Sequence, residues 1–268
     1  MELMNLGSML RSGTTGRSDP TDSELENILN NESGNLTSYD CPICKNRGFI
    51  WHVEDGEKWT EKCKCMKTRA ALTRLNRSGL ANAAKNCRLD TFQAAEEWQR
   101  VMLDTARAYL ADRERNWLFV AGQSGCGKTH ICTAVTVKLI RAGLSAHYAQ
   151  WRELVQRASA VRFDDAKYTA LIDPLKRCDV LYIDDLFKTA DGKRPPDREF
   201  ELAFEIINAR YVASRAYTII SSEHTLQDLY SLDAALAGRI AERCGKYRVQ
   251  IAKKAGRNYR EKFLSAEI

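Results

Sequence analysis

No apolar run in the 268 residues approaches the roughly 18 consecutive apolar positions that a membrane-crossing helix needs. Met1 to Ser12 lack both the basic start and the long apolar centre of a secretory signal, so the expected location is the cytoplasm, with no membrane partner. A disulfide framework is also missing. Nine cysteines is an odd count, and most stand singly in apolar segments, which points to reduced thiols plus one metal cluster. The formal charge of +6 is too modest to define a function, and its distribution says more. What remains is a chain long enough for one α/β domain of ordinary size and a smaller module.

The centre of that domain is Trp117-Leu-Phe-Val-Ala-Gly-Gln-Ser-Gly-Cys-Gly-Lys-Thr129. Gly122, Gly127, Lys128 and Thr129 complete the GxxxxGK pattern, closed by a hydroxyl, of a phosphate-binding loop. Trp117 to Ala121 read as a buried strand and His130 to Arg141 as a helix, so the glycines fall at a strand-to-helix turn. Glycines let backbone N–H groups close around a polyphosphate, and the following helix adds its positive end. Gly122, Gln123, Ser124, Gly125, Cys126, Gly127, Lys128, Thr129 and His130 are therefore the expected contacts of ATP. Lys128 can reach the β- and γ-phosphates, and the Thr129 hydroxyl can ligate Mg²⁺. Cys126, beside the helix start, is expected to be a small space-filling residue with a lowered thiol pKa.

About fifty-five residues on, Asp179-Val-Leu-Tyr-Ile-Asp-Asp-Leu186 reads as a buried parallel strand whose end presents two carboxylates. In an NTPase the first, Asp184, holds Mg²⁺ and the second, Asp185, polarises the attacking water. Further strands are expected at Ala146 to Gln150, Tyr217 to Ser221 and Tyr247 to Ile251. Helices are expected at Asp90 to Asp112, Trp151 to Ala160, Phe200 to Ala213 and Ala234 to Cys244. In the first of these, Phe92, Trp98, Val101, Met102 and Leu110 form the expected buried side.

Ahead of this core the texture differs. Residues 1–38 are polar and predominantly acidic, and are expected to be disordered apart from a transient helix near Ser23 to Leu29. Residues 39–68 contain Cys41-Pro-Ile-Cys44 and Cys63-Lys-Cys65, a spacing by which two knuckles supply four thiolates to Zn²⁺. Gly48 and Asp55-Gly56 flank a short hairpin with little core of its own, and His52 is either a substitute ligand or a solvated side chain. Residues 69–88 are basic, suited to a connecting helix or to a phosphate backbone, and 89–268 form the nucleotide domain.

With these landmarks in order, residues from about 88 to 262 resemble the AAA+ ATPases of the DnaC/DnaI helicase-loader and IstB transposition-helper group. The marks are GQSGCGKT, DVLYIDDL, FEIINARY, GRIAERC and the terminal GRNYR, and the cysteine module resembles the zinc-binding N-terminal domain of DnaI-type loaders, often seen in phage versions. The resemblance implies an α/β fold, an AAA+ P-loop NTPase core with a parallel sheet between helices and a reduced lid, behind a small zinc module. It implies Lys128 and Thr129 as Walker A residues and Asp184 and Asp185 as the Walker B pair. By the same resemblance Arg243 is the arginine finger offered to a neighbouring subunit, with Arg239 the competing candidate, and Arg260 is the sensor-2 residue. One position departs: where the group usually closes its sensor-1 strand with asparagine, this chain has Glu223. A carboxylate there would be repelled by the γ-phosphate unless protonated or bound to metal, so either the strand is shifted and Ser222 does the polar work or hydrolysis is slow, and Glu223→Asn is expected to keep ATP affinity similar or better and raise turnover.

The implied activity is ATP hydrolysis, weak without partners, because a finger in trans is absent from an isolated subunit. The implied role is loading a replicative DNA helicase hexamer onto single-stranded DNA, with ATP-dependent self-assembly. The alternative is an IstB-like transposition helper acting on duplex DNA with a transposase. A nucleotide-binding adaptor without catalysis is a third reading, which the acid pair disfavours.

Overall fold

In the computed structural model, which describes residues 20–37, 39–77, 80–112, 114, 116–189, 193–213, 216–259 and 261, the chain divides into two compact units at the link between Cys63 and Lys64. Among the described residues no helix is long and apolar enough to cross a membrane.

The first unit is a helix on a hairpin. Strands β1 (Phe49–Glu54) and β2 (Glu57–Lys62) pair antiparallel through a two-residue turn at Asp55-Gly56. Both turn residues have positive φ, 51° and 78°, the geometry that makes Asp-Gly a hairpin signal. Helix α1 (Asp22–Asn31) is fixed at its start by a capping box between Thr21 and Glu24. It has no buried residue and docks by hydrogen bonds instead. Asn30 exchanges two bonds with the backbone of Trp51, at 2.8 and 3.0 Å, and Glu26 accepts from Val53 N at 3.1 Å. Its side chains thus satisfy the free edge of β1, so a helix stands where hydrophobic patterning gave a transient one in a disordered segment. Residues 1–19 lie outside the described residues.

The second unit is built on a five-stranded, all-parallel sheet in the order β4 (Ala146–Gln150), β5 (Val180–Leu186), β6 (Tyr217–Ser222), β3 (Trp117–Ala121), β7 (Arg248–Gln250). Alternation along each strand divides the core into two layers. On one face Leu118, Val120, Val180, Tyr182 and Ile219 pack with α2 (Cys65–Arg77), α3 (Ala81–Asn86), α4 (Glu97–Ala111) and α5 (Lys128–Arg141). On the other, Trp117, Phe119, Leu181, Ile183 and Ile220 meet α6 (Trp151–Val161), α7 (Asp165–Arg177), α8 (Asp197–Ala213), α9 (Leu226–Leu232) and α10 (Ala234–Cys244).

Three local expectations are revised. The basic stretch 69–88 is built into this unit rather than lying between units, because Ala71 and Leu75 of α2, and Leu80 just ahead of α3, are buried in the layer that α5 and its neighbours form. Helix α4 starts at Glu97, and its buried side is Met102, Leu103, Ala106 and Tyr109, while Val101 is half exposed. Helices α7 and α9 had no counterpart in the reading of the sequence, since α7 has only Ile172 and Leu175 buried and α9 only Leu229.

A charge sits at the centre of the second layer. Arg210 continues the apolar face Ala203, Ile206, Ile207 of α8 and is fully buried. Its guanidinium donates to the carbonyls of Leu175 (2.9 Å), Cys178 (3.0 Å) and Tyr217 (2.7 Å) and to the Thr218 hydroxyl (2.9 Å). It therefore caps the carbonyl end of α7 and ties it to the starts of β5 and β6. Burial lowers its pKa, yet the carbonyls replace the water it has lost. Arg210→Leu should cost about 3 kcal/mol or more in urea unfolding, because several buried carbonyls lose their donors. Arg210→Lys should not restore it, since one ammonium cannot span the fork. A loss below about 1 kcal/mol would show that water reaches these carbonyls.

Candidate nucleotide site and cysteine cluster

The loop Gly122 to Thr129 leaves β3 beside the end of β6, where Gly122 N–H donates to Ser222 O at 3.1 Å. Gly125 and Gly127 have φ of 77° and 94°, and neither has room for a side chain. A Cβ on Gly125 would fall 1.7 Å from Asn258 Oδ1, and one on Gly127 2.9 Å from the Phe92 ring. Lys128 heads α5, is buried, and its Nζ donates to Gly122 O at 2.8 Å and Gln123 O at 3.1 Å, closing the loop on itself. The Cys126 thiol fills space as expected, but its pKa is not lowered. Burial raises its pKa and outweighs the pull of Lys128, so it is a packed, protonated thiol.

Two elements distant in sequence meet here. Thr129 Oγ1 lies 3.4 Å from Asp184 Oδ1, at the end of β5. Asp184 is buried and held by donors that the reading of the sequence missed: Tyr182 at 2.6 Å, Tyr148 at 3.1 Å, and Ser221. Both tyrosines have raised pKa values, through burial first and the Asp184 charge second for Tyr148, so they stay protonated donors. The signal was faint but present, since Tyr182 stands two positions before Asp184 on the same strand face. A hydroxyl and a carboxylate this close are hard oxygen donors of the kind Mg²⁺ takes, so the pair fits that ion.

Asp185 is placed by a bulge. The register of β5 on β6 shifts between Ile183 and Leu186, Asp185 has φ 55°, and its N–H turns to Ser221 Oγ at 2.9 Å. Its carboxylate accepts from Lys188 Nζ at 2.9 Å, and the same ammonium lies 2.9 Å from Glu223 Oε1. The charge at Glu223 is thus paired, which removes the ground on which Glu223→Asn was expected to speed turnover.

Beside the loop a cavity of about 300 Å³ opens between Phe92, Trp98, His130 and Tyr259. His130 is oriented by a 2.8 Å contact with Arg88 O and an edge-on contact with Phe92. The C-terminal segment borders it, with Lys254 N donating to Gln123 Oε1 (2.8 Å) and Tyr259 N to Gly125 O (3.0 Å). Arg260 itself lies outside the described residues.

Arg239 and Arg243 stand on α10, on the opposite face of the sheet from α5. Arg239 is engaged within its own unit: it bonds Asn208 Oδ1 (3.0 Å) and Ala235 O (2.9 Å) and lies over the Phe204 ring at 4.7 Å.

The thiols of Cys41, Cys44, Cys63 and Cys65 are all buried and lie within 4.8 Å of one another. The Cys41 to Cys63 sulfur separation is 3.8 Å, close to the edge of a tetrahedron with metal–sulfur bonds of about 2.3 Å. Gly48 N–H points at Cys44 Sγ (3.3 Å), past Lys45 and Asn46 in positive φ, so the knuckle offers a backbone donor to a thiolate. Four thiols so grouped fit Zn²⁺. His52 is no part of the group; it stacks on Trp59 at 4.2 Å between Glu26 and Glu61.

A parallel sheet with a glycine loop at one strand end and an acid pair at the end of another defines a P-loop ATPase of the AAA+ class. A profile of the family described as IstB-like ATP binding protein matches residues 52–265, and the chain belongs to that family. It is 32% identical over 223 residues to the phage-like element PBSX protein XkdC of Bacillus subtilis, covering 80% of this chain and 82% of that one. It is 24% identical over 183 residues to the replicative helicase loader DnaC of Buchnera aphidicola, covering 65% and 71%. In fold it matches the crystal structure of DnaI with a TM-score of 0.52 at 20% identity, over 64% of this chain and 94% of that one.

Proposed function

We propose that the chain is an ATP-switched helicase loader, acting in the cytoplasm, that engages a replicative helicase hexamer and single-stranded DNA. In this reading residues 39–68 are the zinc-binding module and the remainder to 268 the ATPase. Lys128 holds the β- and γ-phosphates, Thr129 and Asp184 hold Mg²⁺, and Asp185 polarises the attacking water. Bound Mg²⁺ would neutralise charge developing on the phosphates. Arg243 is the finger offered to the neighbouring subunit, with Arg239, one helical turn earlier on α10, the competing candidate. Arg260 is the sensor-2 residue, and the cavity at Phe92 and Trp98 takes the base.

The observation that carries the loader reading over its rival is the four-thiol module ahead of an ATPase of this family. The rival is an IstB-like helper acting on duplex DNA, favoured by the family match itself. Affinity purification of the intact chain with a slowly hydrolysed ATP analogue separates them: a hexameric helicase co-purifies in the first case and a transposase in the second.

For single-stranded DNA, the turn between α6 and α7 offers Phe163, 88% exposed, with the Arg162 guanidinium 4.2 Å from its ring centre. An exposed ring backed by a cation is a stacking platform for a base. Phe163→Ala should weaken single-strand binding by about 1–3 kcal/mol, roughly 5- to 160-fold, at unchanged melting temperature. Fluorescence anisotropy over a salt series tests it, and an affinity independent of both salt and Phe163 would overturn the DNA assignment.

A further inference from the structure

Lys188 had no role in the reading of the sequence, yet it is the cation that stands between the two acids nearest the site. Its ammonium is 2.9 Å from Asp185 Oδ2 and 2.9 Å from Glu223 Oε1. Both acids belong to the phosphate side of the sheet. Asp185 follows Asp184, and Glu223 follows Ser222, whose carbonyl receives the Gly122 N–H. The turn that carries the lysine is tight and over-determined. Asp185 and Phe187 have φ of 55° and 61°, Lys188 N–H donates to Asp185 O at 3.0 Å, and Ser222 Oγ donates to Leu186 O at 2.9 Å. A non-glycine residue in that region costs about 1–3 kcal/mol, so two in one turn are held by their surroundings. Burial lowers the Lys188 pKa, but the two carboxylates beside it outweigh that and leave the pKa raised, so the ammonium stays charged.

One cation shared by two carboxylates can sit with either. Seated on Asp185 it occupies the carboxylate oxygen that would otherwise accept a hydrogen bond from the attacking water. Seated on Glu223 it leaves Asp185 free while still cancelling the negative charge that Glu223 would present to a γ-phosphate. We propose that Lys188 and Glu223 are a positioning pair: Glu223 is the acceptor that draws Lys188 off Asp185, and the lysine's residence sets whether Asp185 can act on water. This rests on the assignment of Asp185 above and deepens it. Glu223 then assists turnover, the reverse of what its charge alone implies.

The test is steady-state phosphate release by the full-length chain, with ATP affinity measured on the same samples, for wild type, Glu223→Gln, Lys188→Met, Lys188→Arg and the double variant Lys188→Met/Glu223→Gln. Glu223→Gln strands the ammonium on Asp185, so kcat should fall about tenfold with KM for ATP within about twofold of wild type. Lys188→Met leaves two unscreened carboxylates, so KM should rise about tenfold, and Lys188→Arg, which keeps the charge, should hold KM near wild type. The double variant removes both the latch and the repulsion, and should return KM to about the wild-type value with kcat at or above it. Undisturbed or faster turnover in Glu223→Gln, or a double variant no better than Lys188→Met, overturns the proposal. A wild-type chain that binds no ATP sinks the nucleotide assignment itself, whereas normal ATP binding with the same kcat and KM in every variant sinks only the shared lysine.

Discussion

Stripping the metal from the intact chain with a strong chelator is expected to melt residues 20–63 while the ATPase unit stays folded. Between residues 20 and 63, Val53 is the only apolar side chain other than cysteine that is buried among the described residues. Strand β2 is exposed along its whole length, and α1 buries no side chain fully and is tied to β1 by hydrogen bonds from Asn30 and Glu26. A unit this poor in core cannot offset its chain entropy, whereas a structural tetrathiolate site supplies apparent binding of about 10–16 kcal/mol. Hydrogen exchange followed by mass spectrometry should show protection lost across β1 and β2 and retained across β3 and β5. Cys41→Ser should reproduce the pattern without chelator. Purified chain with no bound zinc and a protected hairpin would refute the assignment.

The second large effect separates binding from chemistry. Lys128→Ala removes the one buried ammonium that bridges Gly122 O and Gln123 O, and should weaken ATP binding by about 100- to 1000-fold, the usual loss of a preorganised charged donor at a phosphate. Asp185→Asn should leave ATP binding within a few-fold of wild type but lower kcat by about 100-fold or more, since a carboxamide cannot accept a proton from water. Isothermal titration with a slowly hydrolysed analogue and a phosphate-release assay check the two halves. Equal loss of binding in both variants would mean that Asp185 holds the nucleotide instead of acting on water.

Strand β3 and the glycine loop that follows it were readable because their signals are local. A run of five apolar residues, a GK dipeptide after spaced glycines and an Asp-Asp at a strand end need no knowledge of the rest of the chain. The two helices that went unread, α7 and α9, bury few side chains and owe their place to caps, with Asp164 accepting from Lys167 N and Thr225 from Asp228 N. Helix α1 was underestimated for the same reason: its anchoring is polar, and hydrophobic periodicity does not register an asparagine that pairs with a strand edge.

By itself the sequence determined the class of the protein and located its glycine loop, its acid pair and its four clustered thiols, because each is written as residue types at fixed short spacings. Only the tertiary structure decided what governs those groups. It set Tyr148, Tyr182 and Ser221 on Asp184, buried Arg210 among carbonyls, and brought Lys188 between Asp185 and Glu223. The contacts of Tyr148 and Ser221 with Asp184, and of Lys188 with Glu223, join neighbouring strands or the turns that follow them, some 35 residues apart in the chain, and Coulomb and hydrogen-bond energies depend on separation in space. No spacing along the sequence records that separation.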